Sequence, residues 1–196
     1  SWLWHCIFWA VLLCSAWQPH DRLTWWLELL PALIAWVLLI STRHRFHFTP
    51  MLYGLILCHC VILMVGGKYT YALVPAGDWV AEILGWSRNN YDKLGHLAQG
   101  FVPAMVAREL LIRLQVITSR YWRDSLIVLS VLGISSLYEL IEWAAALLSA
   151  QAAESFLGTQ GYVWDTQSDM FMALIGALMA LALLGGLHDR QLRQQA

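Results

Sequence analysis

The chain has 196 residues, of which 59% are hydrophobic and only 13% are charged. A soluble domain carries about 25% charged residues, so this composition, with a mean hydropathy of +0.56, excludes an ordinary soluble protein. Twelve Lys and Arg against thirteen Asp and Glu leave a formal net charge of −1, which gives no electrostatic basis for a nucleic-acid partner.

Six apolar runs, at about 2–17, 23–41, 51–66, 94–114, 126–148 and 170–187, are spaced along the chain. A helix needs about 20 residues to cross roughly 30 Å of hydrocarbon, so the first run is short. It lacks a basic leader and a small-residue cleavage site, and is read as a retained helix rather than a signal peptide. The 12 tryptophans fit the same picture, because Trp favours membrane interfaces. Between the third and fourth runs, Trp79, Ile83 and Trp86 fall on one helical face. That piece is expected to lie along the membrane surface. The expected fold is all-α: one transmembrane domain over 1–196, a bundle of about six spanning helices plus a short interfacial helix.

Cys6, Cys14, Cys58 and Cys60 all lie in apolar runs. Cys58 and Cys60 flank His59, but positions two apart on a helix do not share a face. They are expected to be buried, unpaired thiols. Arg43, Arg45, Arg113, Arg120, Arg123, Arg190 and Arg193 lie on one side of this topology, and Arg22, Lys68, Arg88 and Lys93 on the other. The excess of basic residues marks the cytoplasmic side, so both termini are expected there.

Depth then places the ionisable groups. At about 1.5 Å per residue, Asp92 and His96 open the fourth helix at its outer end. Glu139 and Glu142 lie near the outer end of the fifth, and Asp165 and Asp169 begin the sixth. Asp92 and His96 are i and i+4, with Gln99 continuing the face. Glu139 and Glu142 are i and i+3, and Asp165 and Asp169 are i and i+4, so each pair can point one way. Ionisable residues in a membrane face the bundle interior or a wet cavity. Five carboxylates and an imidazole at one depth need a cation, shared protons or a basic partner, and Lys93 and Arg88 are the basic residues to hand. Taken singly, each carboxylate reads as an ordinary hydrogen-bonded or wet interfacial side chain. Three paired spacings at one depth read as a site.

That set leaves three readings open. A divalent cation held by oxygens and an imidazole, with a Glu as general base, would make a metal-dependent hydrolase or transferase. The carboxylates could instead hold an ion, a proton or a cationic head group in a binding or transport protein. They could also be structural. Other polar residues carry less weight. Arg108 and Glu109 read as a paired or snorkelling set, and His59 as a helix–helix contact. Glu28, near the outer end of the second helix, is weighed below the three pairs. His5, His20, His44, His47 and His188 read as interfacial or loop residues. Ile175-Gly176-Ala177 reads as close helix packing.

Tyr91-Asp92-Lys93-Leu94-Gly95-His96 resembles the Asp-Lys-x-x-His opening of VanZ-like membrane proteins. Tyr138-Glu139-Leu140-Ile141-Glu142-Trp143 is similar to their Glu-bearing following helix. The stretch from Asp165 through Asp169 to Gly176 is similar to their final helix. More closely, YDKLGHLAQGFVPA, YELIEW and WDTQSDM resemble the YjdF-like family of uncharacterised bacterial inner-membrane proteins over essentially the whole chain. The resemblance implies a six-helix inner-membrane protein and, through the link of VanZ-like proteins to glycopeptide resistance, work at the cell envelope. The chain departs from the VanZ-like pattern at Asp169, where Asn is usual, and in the pair Glu139 and Glu142. Tyr162, where that family pattern often has an acidic residue, is left out of the site.

The expectation is a periplasm-facing site with Asp92, His96, Glu139, Glu142, Asp165 and Asp169 as metal ligands. Glu139, Glu142, His96 and Asp92 are its candidate catalytic groups. The expected partners are the lipid bilayer, a divalent cation and a lipid-linked or envelope small molecule. The alternative is a non-catalytic envelope-stress or binding protein, or a small ion- or proton-coupled transporter.

Overall fold

A computed structural model describes residues 2–148 and 163–195. Among them are seven helices: α1 (Trp2–Ala16), α2 (Arg22–Thr42), α3 (Pro50–Tyr69), α4 (Pro75–Leu84), α5 (Tyr91–Arg113), α6 (Arg120–Leu148) and α7 (Asp165–Gln195). Tyr162 lies outside the described residues.

Local chemistry sets the helix ends. Asp21 caps α2 by accepting from the Thr24 amide at 2.7 Å. This satisfies a donor the helix itself leaves unpaired. Proline starts both α3 and α4, where its missing N–H costs nothing. Helix α4 stops at Gly85, whose φ of +65° suits glycine. The Trp86 amide then folds back onto the Ala81 carbonyl at 2.8 Å.

Four of the helices, α2, α3, α6 and α7, are long and apolar enough to cross a membrane. The expected count of six differs at two places. Helix α1 is apolar but has 15 residues. Helix α5 has 23 residues, long enough at about 34 Å, but it carries Asp92, Lys93, Arg108, Glu109 and Arg113. Those charges are sustained because α5 is central, packed against α3, α6 and, most extensively, α7. Helix α7 answers the charges at both ends, Lys93 with Asp165 and Asp169, Arg108 with Asp189, and Glu109 with His188.

The α5–α7 approach depends on small residues. A Cβ on Gly100 would strike the Ala173 carbonyl, and one on Gly176 would strike the Leu97 carbonyl. Ala173, Ala177 and Ala180 are fully buried along the same seam, in one core with Leu52, Met105 and Ile127. Without a hydrophobic drive between helices in lipid, such close contact is what holds them. A second core joins α1, α2 and α3 through Trp4, Phe8, Trp25, Leu29 and Met64. Outward faces are apolar, as with Val37, Leu129 and Leu183, and Trp79, Ile83 and Trp86 form an exposed ridge on and just after α4.

The four cysteines are unpaired, but only Cys60 is buried; Cys6, Cys14 and Cys58 are exposed. Their apolar runs present one face outward, so an apolar neighbourhood in sequence does not mean burial.

Candidate carboxylate and histidine site

The Asp92 and His96 side chains, one turn apart on α5, come together with Asp169 of α7. One ligating atom from each of the three lies within 4.8 Å of the others. All three residues are buried. His96 Nε2 stands 3.3 Å from Asp92 Oδ1, 3.9 Å from Asp169 Oδ2 and 3.9 Å from Glu139 Oε1. The other ring nitrogen, Nδ1, is 3.2 Å from Gln99 Oε1. An amide oxygen only accepts, so Gln99 places a proton on Nδ1 and turns Nε2 toward the three carboxylate oxygens.

Lys93 organises the opposite side of the same carboxylates. Its ammonium donates to Asp169 Oδ1, to Asp165 Oδ1 at 3.0 Å and to Ser168 Oγ at 2.6 Å. Asp92 Oδ2 is 3.6 Å away. Asp92 and Asp169 are thus held between Lys93 and the His96 nitrogen, one oxygen to each. Asp165 faces Lys93 and, at 3.3 Å, Arg88; it supports the cluster and does not turn to His96. Glu139 Oε1 is buried with no hydrogen-bond partner among the described residues, which leaves its acceptor capacity unused. Glu142, one turn further along α6, lines the same cavity.

Sequence reasoning gave Glu28 less weight than the structure does. Glu28 is buried, and its Oε2 accepts from Tyr138 at 2.6 Å and from Tyr71 at 3.0 Å. Tyr138 stands edge-on to the His96 ring, centroids 6.5 Å apart, so Glu28 joins the cluster through a tyrosine. Tyr71 lies beyond the end of α3, and its ring fills the space left by Gly66 and Gly95. Burial first, and the Glu28 carboxylate next, push its phenol well above the usual range, so it remains a donor. Neither tyrosine was singled out from the sequence. The available signal was a pair of phenols beside a buried carboxylate, which only the fold brings together.

A second polar cluster lies at the other end of α5. His188 and Glu109 are fully buried and Arg108 nearly so, which corrects the reading of His188 as interfacial. Glu109 takes His188 Nε2 at 2.9 Å, the Thr49 hydroxyl at 2.9 Å and Arg113 at 3.0 Å. Arg108 reaches His188 Nδ1 at 2.8 Å and Asp189 at 2.7 Å. Every member is partnered, as a structural clamp requires.

A cavity of about 680 Å³ opens beside the first cluster, with Glu28, Asp92, His96, Tyr138, Glu142 and Asp169 at its polar end. It continues along α2 and α5 over apolar residues including Ala35, Leu39, Val106 and Leu110. The second cluster's Arg108, Glu109 and His188 are not among its lining residues. His59 does line it, and its Nε2 has no hydrogen-bond partner among the described residues. Cys58 is exposed and Cys60 buried, and among the described residues they do not group with His59 as metal ligands.

Residues 1–190 match the family described as "Predicted membrane protein (DUF2238)". The chain belongs to that family. It is also 53% identical over 184 residues to the inner membrane protein YjdF of Escherichia coli (strain K12), covering 94% of this chain and 88% of the relative. No solved structure matches it. Both sequence matches are to the DUF2238 and YjdF group rather than to VanZ-like proteins. With its apolar helices, the membership makes this a multi-pass integral protein of the inner membrane.

Proposed function

We propose that the cluster is a divalent-cation site of a membrane-embedded hydrolase or transferase, open to the periplasm and acting on a lipid-linked or envelope substrate. The observation that carries this reading is the orientation of His96. With Nδ1 donating to Gln99, Nε2 faces three carboxylate oxygens at 3.3–3.9 Å, and the Asp92, His96 and Asp169 ligand atoms lie within 4.8 Å of one another. The gathered carboxylates call for positive charge, which Lys93 supplies on one side and a bound cation would supply on the side of His96. An imidazole nitrogen and carboxylate oxygens gathered this closely are a donor set that would suit a divalent ion. Asp92, His96 and Asp169 would hold the ion, with Glu139 nearest as a fourth donor. Gln99 and Lys93 supply the outer hydrogen bonds that fix ligand orientation. The chemistry a bound ion would supply there is polarisation of a carbonyl or phosphoryl oxygen and activation of water. Glu142, lining the cavity and outside the ligand group, would serve as general base, with Glu139 if it is not a ligand. The periplasmic assignment rests on seven basic residues against four at the two ends.

The transport reading fares less well. A transporter needs polar access from both faces, whereas an apolar floor lies between this cluster and the Arg108–Glu109–His188 clamp. The deciding experiment is elemental analysis of purified protein beside Asp169→Asn and Glu139→Gln, with thermal unfolding under added divalent ions. The expected result is one bound ion per chain, lost in Asp169→Asn. Absence of bound metal together with no thermal response to any divalent ion would sink the proposal.

A further inference from the structure

We infer that the cavity is a slot for a single acyl chain of a membrane lipid, entered sideways between α2 and α6, with the lipid's head group brought to the Asp92–His96–Asp169 cluster. The head-group half rests on the function proposed above; the chain-binding half stands on the cavity alone.

Length is the first support. Cavity-lining residues run from Thr24 to Thr42 on α2 and from Asp92 to Leu110 on α5, about 27 Å on each helix. The carboxylate-rich part ends at Glu28 and Gln99, and beyond it His59 and Thr42 are the polar side chains in a mainly apolar lining. What remains, to Thr42 on α2 and to Leu110 on α5, is about 21 Å and about 16 Å. One leaflet's share of a hydrocarbon core roughly 30 Å thick is about 15 Å. The mainly apolar part is therefore deep enough for one leaflet's chain.

Girth is the second. A volume of about 680 Å³ over about 27 Å gives a mean cross-section of about 25 Å², room for one hydrocarbon chain and not two.

The third support is the closed floor and the open side. Phe46 and Phe48 pack ring to ring at 5.0 Å and both line the cavity. Arg113 sits 4.0 Å over Phe46, so an aromatic pair seals the slot from the second cluster. Laterally, α2 packs on α3 while α6 packs on α5 and α7. Tyr138 and Glu28 bridge α2 to α6 at the polar end. Below them the lining residues Leu38 and Ile134 are 56% and 47% exposed, on faces that meet lipid in a spanning bundle. A polar ligand arriving from water would find no reason for so long an apolar wall. A lipid already lying in the leaflet needs only to slide its chain between two helices.

The test uses a lysophospholipid whose palmitoyl chain ends in a photoreactive diazirine, added to the full-length protein in lipid nanodiscs, with adducts mapped by mass spectrometry. Adducts are expected on Phe46, Phe48 and Leu110, and should be lost in Ala35→Trp and Ala107→Trp. The milder Ala107→Leu, judged alongside by thermal unfolding, covers the case in which the tryptophan variants do not fold. Adducts confined to outward residues such as Val37, or unchanged by these substitutions, would overturn the slot. Asp169→Asn separates the two halves. It should keep the chain-end adducts while losing bound metal. Adducts without any metal in the wild type would leave the slot standing and the metal reading failed.

Discussion

The contact between His188 Nδ1 and the Arg108 guanidinium, 2.8 Å long, fixes the tautomer of a fully buried imidazole. Guanidinium offers only donors, so Nδ1 accepts, and the ring proton sits on Nε2, 2.9 Å from Glu109 Oε2. His188 thus relays between an Arg that must donate and a Glu that must accept. Replacing it by Ala removes one partner from each of two buried charges. Breaking a buried charged network in this way costs about 3–5 kcal/mol. His188→Ala should show a large fall in thermal stability in detergent, with metal content per folded chain unchanged. Near wild-type stability would show that the clamp is not structural.

Gln99 does for His96 what Arg108 does for His188 with the ring nitrogens exchanged, since it holds a proton on Nδ1 and turns Nε2 to the carboxylates. Gln99→Leu removes the acceptor that sets this tautomer. Loss of an outer-shell partner lowers metal affinity by about 10–100-fold. Metal titration by isothermal calorimetry should show that loss. An unchanged affinity would mean that Gln99 does not orient the ring.

Lys93 is the cation that Asp92, Asp165 and Asp169 share. In Lys93→Met those carboxylates face one another without it, and stability in the absence of divalent ions should drop. Added divalent ion should then restore more stability to the variant than to the wild type, because it supplies the missing positive charge. Equal responses from the two proteins would argue against a shared electrostatic site.

Glycine substitutions offer a test of the α5–α7 seam with an internal control. Gly100→Ala and Gly176→Ala push a methyl group against the opposing backbone. Overpacking costs about 1–3 kcal/mol, occasionally more. Because Asp92 and His96 are on one helix and Asp169 on the other, forced separation should also weaken metal binding. A Cβ on Gly185 meets nothing within 4 Å, so Gly185→Ala should be neutral or slightly stabilising through helix propensity. Similar thermal shifts in all three variants would contradict the packing.

Much of the fold was legible because hydropathy and length decide where a helix can lie in a membrane. All six apolar runs fall within or almost coincide with helices, and the ridge of Trp79, Ile83 and Trp86 was readable from periodicity alone. The ends were harder to read. Helix α7 extends from Asp165 to Gln195, well past the apolar part, because its terminal polar residues serve α5. Among the site residues, pair spacing and depth were enough to put Asp92, His96 and Asp169 at one level. Spacing could not reveal which oxygen turns where, so Asp165 and Asp169 read alike although one faces Arg88 and the other faces His96. Glu28 and His188 stood alone in sequence. Their partners come from other helices, Tyr71 and Tyr138 for one and Arg108 and Glu109 for the other, and no local pattern encodes such a meeting.

Helix α7 completes both polar clusters, with Asp165 and Asp169 at one end and His188 and Asp189 at the other, and it is the latest of the described helices to leave the ribosome. Until it arrives, the nascent α5 holds Lys93 and Arg108 in the bilayer without those counter-charges, an expensive state in hydrocarbon. Docking of α7 is therefore the step that completes both clusters. A chain halted before α7 presents unneutralised charge within the membrane and lacks the Asp169 side of the Asp92–His96–Asp169 cluster.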